Sequence, residues 1–232
     1  KVFSDDDVWR RLRQAAEFGR LRAARGAATI LGHDMLKSVD TMWDNPARFI
    51  TRKSWIGTAR RNNMVALALV RMGANDPAAA ALQLQERWQR AIGADNAAWA
   101  WAVIAKHGAQ SLLPEAVDWA DRAWAARKPR KGGKAAPPDW SDDVFAWHAR
   151  AALRAGSGTR RWKDVERAID AMSPAERGEA SWTYWRAQAE LALALAAGGA
   201  GDDAAVAQAR RQLEALSSTP TFYGLLSAED LG

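Results

Sequence analysis

Ser181-Trp182-Thr183-Tyr184-Trp185-Arg186-Ala187-Gln188-Ala189-Glu190-Leu191-Ala192-Leu193-Ala194-Leu195-Ala196-Ala197 is the stretch that decides the fold. Alanine has the highest intrinsic helix propensity and leucine is close behind it, so the run predicts a helix over 181–197. Gly198-Gly199-Ala200-Gly201 ends it as a turn, and Asp203–Leu216 reads as a second helix folded back on the first. Gly198–Gly201 resembles a phosphate-cradling loop only superficially, because no strand precedes it and no Lys-Ser/Thr follows. Arg186, Gln188 and Glu190 interrupt the apolar face. No apolar run in the chain reaches the roughly 18 to 20 residues needed to cross a bilayer.

The same pattern extends outward in both directions. Thr219-Pro220 predicts a short terminal helix through Leu226. Upstream, Trp140–Ala155 pairs with Arg161–Met172, and Ser173-Pro174-Ala175-Glu176 has the form of a capping box. Ala97–Lys106 and Pro114–Ala126 form another pair. Ala59–Met72 closes at Gly73, and Asp76-Pro77 then opens Ala78–Ala91, with Asp as N-cap and Pro at the first helical position. Near the start, Val8, Leu12, Ala15 and Ala16 make an amphipathic stripe. Asp5–Asp7 sit at its N-terminus, where negative charge is favoured. Leu21–Leu31 and Asp34–Trp43 follow, the latter stopping at Asn45-Pro46. Phe49, Trp55 and Ile56 fall in a less regular stretch.

Repeated pairs of helices joined by short turns predict an all-α chain, an irregular superhelix (alpha-solenoid) of antiparallel helix pairs. The repeat is about 35 to 45 residues, near tetratricopeptide length but with a poorly kept period. The expected organisation is a helical array over 1–126, a basic Pro/Gly loop over 127–139, and further pairs of the same superhelix over 140–232. In the loop, Arg127, Lys128, Arg130, Lys131 and Lys134 carry five positive charges with no acid among them. Removing those five from the 33 basic residues leaves 28 against 27 acidic, so the net charge of +6 is one local patch. A solvated loop is the preferred reading over a nucleic-acid face, which would spread its basic residues along a groove and interleave aromatics.

The 232 residues are 48% apolar and 26% charged, ordinary for a globular protein. The absence of cysteine excludes disulfides, Cys-ligated zinc and thiol catalysis. Lys1–Asp7 has no start methionine and no signal-peptide core, which reads as a processed or excised fragment. His33, His107 and His148 have no neighbours at ligand spacing, so no metal and no cofactor is expected. Thirteen tryptophans stand against two tyrosines and five phenylalanines. Such rings either stack on sugar faces or fill the space between helix pairs. Trp147, Trp162, Trp182 and Trp185 fall on apolar helix faces, where packing is the preferred reading. Trp99 and Trp101, two apart on one helix, must point to different sides, while Trp88 and Trp140 are the better candidates for an open surface.

In order and spacing, three elements carry a resemblance. They are Trp147 and Arg150 with Leu153, Trp162, Val165 and Ile169; then Trp182-Thr183-Tyr184-Trp185-Arg186-Ala187; then Phe222-Tyr223-Gly224-Leu225-Leu226 with Ala228, Leu231 and Gly232. Together they resemble the superhelix that precedes the catalytic domain in soluble lytic transglycosylases, with residues 1–126 similar only in general character. The resemblance implies a periplasmic protein of peptidoglycan (murein) turnover that positions glycan strands. It also implies a lysozyme-like catalytic domain C-terminal to Gly232. In that family a single Glu cleaves the MurNAc–GlcNAc bond as acid and then base, and the muramyl 6-hydroxyl closes the 1,6-anhydro product. The family's Glu is followed by Ser and later by Gly-Leu-Met-Gln. None of Glu17, Glu86, Glu115, Glu166, Glu176, Glu179, Glu190, Glu214 or Glu229 precedes serine, and Gly-Leu-Met-Gln is absent. The expected partner is therefore peptidoglycan, with no catalytic residue in this chain, no nucleic acid and no transmembrane segment. The competing reading is an alpha-solenoid scaffold for proteins or peptides.

Overall fold

The computed structural model describes residues 3–51, 58–127, 138–156, 158–198 and 202–232. Among them every regular element is helical, which bears out the all-α reading. Two compact units divide the chain, Lys1–Ala135 and Ala136–Gly232. In each, successive helices pack as neighbours in solenoid-like order. Short connections make such neighbours antiparallel.

The first unit holds α1 (Asp5–Glu17), α2 (Leu21–Leu31), α3 (His33–Asp44), α4 (Pro46–Thr51), α5 (Thr58–Gly73), α6 (Pro77–Gln83), α7 (Ala94–Gln110) and α8 (Ala116–Ala126). Ser4 caps α1 in a full capping box with Asp7, so the acidic start does more than meet the helix dipole. Helix α5 touches α1, α3, α4, α6 and α7, and Met64–Val70 along it are buried without a break. Helix α7 is enclosed in the same way and packs on α8. Gly108 is the close approach there, since a Cβ would lie 2.6 Å from the Trp119 ring. Where α1 meets α7, Lys106 Nζ lies 3.3 Å from Glu17 Oε1, both side chains 3% exposed, and 4.8 Å from the Phe18 ring centroid. Nearby, Arg13 donates to Asn96 Oδ1 at 2.8 Å. Charge buried so deeply is tolerable only when it is matched.

Three sequence expectations change in this unit. The stretch after Asn45 is not irregular up to Thr51: Pro46 opens α4, with Asn45 Oδ1 accepting the Arg48 N–H at 2.8 Å. Proline thus stops one helix and starts the next. The helix expected over 78–91 is α6 followed by a π-helical turn, Leu84–Trp88, in which the Gln89 N–H reaches back to the Leu84 carbonyl at 2.8 Å. Trp88, expected on an open surface, is 5% exposed and lies against Arg61 and Arg87. Trp55 and Ile56 lie outside the described residues, as does most of the basic 127–139 segment.

The second unit holds α9 (Asp142–Arg154), α10 (Thr159–Asp170), α11 (Pro174–Arg177), α12 (Ala180–Ala197), α13 (Asp202–Ser217) and α14 (Phe222–Leu231). Here α9 packs on α10, α10 on α12, α12 on α13, and α14 closes over α12 and α13. Tyr184, Ala187, Leu213 and Leu216 are its buried centre. The last helix runs beyond Leu226 to Leu231 and is capped by Thr221, whose hydroxyl accepts the Gly224 N–H at 3.0 Å. A Cβ on Gly224 would come within 2.1 Å of the Thr219 carbonyl oxygen, so glycine alone permits this turn.

Candidate functional site

A cleft of about 390 Å³ opens in the second unit between α9, α12 and α14. That volume is at the lower end of the range for small-molecule sites. Arg150, Leu153 and Arg154 form the α9 wall, successive turns of one helix face. Helix α12 contributes Ser181 from its first turn, then Trp182 and Trp185. Tyr223 closes the far side from α14. Two guanidiniums, three aromatic rings and no carboxylate line the space.

Each wall residue is held by an identifiable contact. The Trp182 indole is 3% exposed, donates to Glu176 Oε1 at 2.9 Å, and has the Arg150 guanidinium 4.9 Å from its centroid. Arg150 also lies 5.0 Å from the Trp147 centroid, so one exposed arginine rests against two indoles. Such cation–π contacts fix the side chain without neutralising it. Trp185 packs edge-on to Tyr184 at 5.1 Å, and Tyr184 meets Tyr223 at 5.5 Å. The Tyr184 hydroxyl donates to Asp230 at 2.7 Å. Burial, together with that carboxylate, pushes its pKa from 10.0 up to about 12. The aromatic wall is thereby tied to the last turn of α14.

The expected capping box at Ser173 is only half formed. Ser173 Oγ accepts the Glu176 N–H at 3.3 Å, but the Ser173 N–H goes to Asp142 Oδ1 of α9 at 2.7 Å. This frees the Glu176 carboxylate for the Trp182 indole, a substitution that local sequence could not announce. Behind the wall, Arg186 pairs with Asp170 and Glu190, both at 2.9 Å, and Glu190 also accepts from Gln212 at 2.8 Å. Burial pushes the Glu166 carboxyl up, and Asp170 and Glu190 push it the same way. Glu166 does not line the cleft.

Of the residues read from sequence, the structure brings Trp147, Arg150, Leu153, Trp182, Trp185 and Tyr223 to one place. Trp182 is buried as expected, while Trp147, Trp162 and Trp185 are half-buried, serving packing with one side only. Trp99 and Trp101 are both buried, Trp140 is half-buried, and none of the twelve described tryptophans is exposed. Arg154 and Ser181 are the lining residues that sequence did not single out. The helical spacing Arg150–Arg154 was the available signal. No group of three or more His, Asp or Glu side chains able to hold a metal occurs among the described residues. Nor is any described helix long and apolar enough to cross a membrane.

No family model matches the chain, and no curated protein matches it by sequence. Among solved structures it is similar to an X-ray structure of an inactive mutant of the lytic transglycosylase Slt from Pseudomonas aeruginosa. The likeness has a TM-score of 0.57 at 22% identity and covers 99% of this chain and 34% of that one. The chain therefore spans about a third of the length of that protein, and the two share a helical fold.

Proposed function

We propose that this chain is a non-catalytic superhelical region that positions peptidoglycan strands for a lytic transglycosylase in the bacterial periplasm. The observation that carries the reading is the convergence of the Trp182–Ala187 and Phe222–Gly224 elements on one cleft. The chain also shares its fold, over 99% of its length, with part of a lytic transglycosylase. Rings such as Trp185 and Tyr223, half-buried and fixed by their neighbours, suit the flat apolar faces of sugars. Bond cleavage belongs to a lysozyme-like domain that would work beside this one, and the two would share a single glycan strand.

Sedimentation of the 232-residue chain with purified, insoluble peptidoglycan tests the reading. Retention with the pellet, without release of anhydromuropeptides, is the expected result. A chain left in the supernatant, yet captured by a protein partner, would favour the peptide-binding scaffold instead. Release of anhydro products by the chain alone would overturn the non-catalytic assignment.

A further inference from the structure

We infer that the cleft between α9, α12 and α14 is a carboxylate-binding site, with Arg150 as its principal anchor. The assignment of its ligand to peptidoglycan rests on the reading above, whereas the preference for an acid rests on the cleft alone. The second unit pairs other arginines with its own acids: Arg186 with Asp170 and Glu190, and Arg161 and Arg167 with Asp164. Arg150 is treated differently. Its contacts among the described residues are the two indole rings, with no carboxylate. Ring contacts of this kind supply no oxygen acceptor, so the guanidinium N–H donors of Arg150 remain for water or a ligand.

Position and preorganisation point the same way. Arg150 and Arg154 stand one helical turn apart on the same wall of a half-open cleft that no acid lines. The first turn of α12 brings the Ser181 hydroxyl to the same cleft. An arginine already held by Trp147 and Trp182 loses little freedom when it accepts a partner, which favours bidentate pairing with a carboxylate. Trp185 and Tyr223 supply the apolar wall on which the rest of the ligand would lie. The ligand class is thus a small carboxylate attached to a flat, weakly polar body. In peptidoglycan this chemistry has two sources, the lactyl acid of a muramyl sugar and the acidic residue of a stem peptide.

The test follows the indole N–H resonances of the full chain by NMR during titration with three probes. These are N-acetylmuramic acid, N-acetylglucosamine and the dipeptide alanyl-γ-glutamate. We expect shifts at Trp182 and Trp185 with at least one of the acids, at affinity about tenfold or more above that for N-acetylglucosamine. Arg150→Gln should abolish that preference, and added salt should weaken the wild-type chain but not the variant. The stronger of the two acids identifies the sugar or the peptide as the source, and either supports the site. Equal binding of N-acetylglucosamine and N-acetylmuramic acid with no response to the dipeptide, absence of any response to the acids, or an unchanged Arg150→Gln variant would overturn it. Circular dichroism checks that the variant is folded, and Arg154→Gln gives a second, exposed substitution with a smaller expected loss in the same direction. Sedimentation separates the two readings. Peptidoglycan retention with no acid response in the cleft sinks the carboxylate site alone, whereas acid binding in the cleft without peptidoglycan retention sinks the cell-wall reading alone.

Discussion

Helices α7 and α12 have nearly the same length and both carry paired aromatics in an alanine-rich run, yet the molecule uses them in opposite ways. Thirteen of the 17 residues of α7 are buried, including Trp99, Trp101 and even Lys106. Only five of the 18 residues of α12 are, and Trp185 keeps one side open. A helix enclosed on every side can contribute only packing, because any chemistry on it is spent on its neighbours. A helix with one face uncovered can hold a ring rigidly from behind and present it in front. Aromatic content therefore says little about where a site is; the degree of covering says more.

The sharpest way to break that contrast is to truncate one ring on each helix. Trp101→Ala should cost about 3–5 kcal/mol in chemical denaturation, as for other large buried aromatics. Trp185→Ala should cost less than half as much and act mainly on ligand binding. Equal losses would mean that α12 is as enclosed as α7. Lys106→Ala, which leaves Glu17 buried without its counter-charge, should also lose about 3–5 kcal/mol. The paired replacement of Lys106 and Glu17 by Met and Leu should recover most of that, read by the same denaturation curves.

Smaller effects sharpen the picture in the second unit. Gly224→Ala forces a methyl against the Thr219 carbonyl and should cost about 1–3 kcal/mol, with the loss visible as a lowered Tm. Smaller still is the Tyr184–Asp230 link. Folded Tyr184 keeps its proton to about pH 12 against an ordinary 10.0, so the stability it lends is whole below pH 10 and fades as pH rises toward 12. Spectrophotometric titration should place one phenolate near 12, and Asp230→Asn should move it down.

Much of this fold was legible because helix stops and starts leave local marks. Gly73, Asp76-Pro77 and the alanine runs located their elements. Helix α4 escaped because Pro46 was read only as a stop, although the same residue is well suited to a first helical position. Trp88 was misplaced because it stands near a helix end, where a side chain reads as open, whereas the π turn that it closes leaves it buried against Arg61 and Arg87. At the cleft, Trp147, Arg150 and the Trp182–Ala187 element were visible as a set. Their convergence with Arg154 and Ser181 depends on how α9, α12 and α14 meet, which no single window of sequence encodes.

The contacts around the Ser173 cap close on themselves. Asp142 of α9 holds the Ser173 amide, Glu176 of the following turn holds the Trp182 indole, and Trp182 in turn supports Arg150 back on α9. A circuit of this kind cannot slacken at one link without the others feeling it. The Ser173 backbone proton, which does not line the cleft, should thus exchange with solvent more slowly when Arg150 is engaged, and so serve as a remote gauge of occupancy.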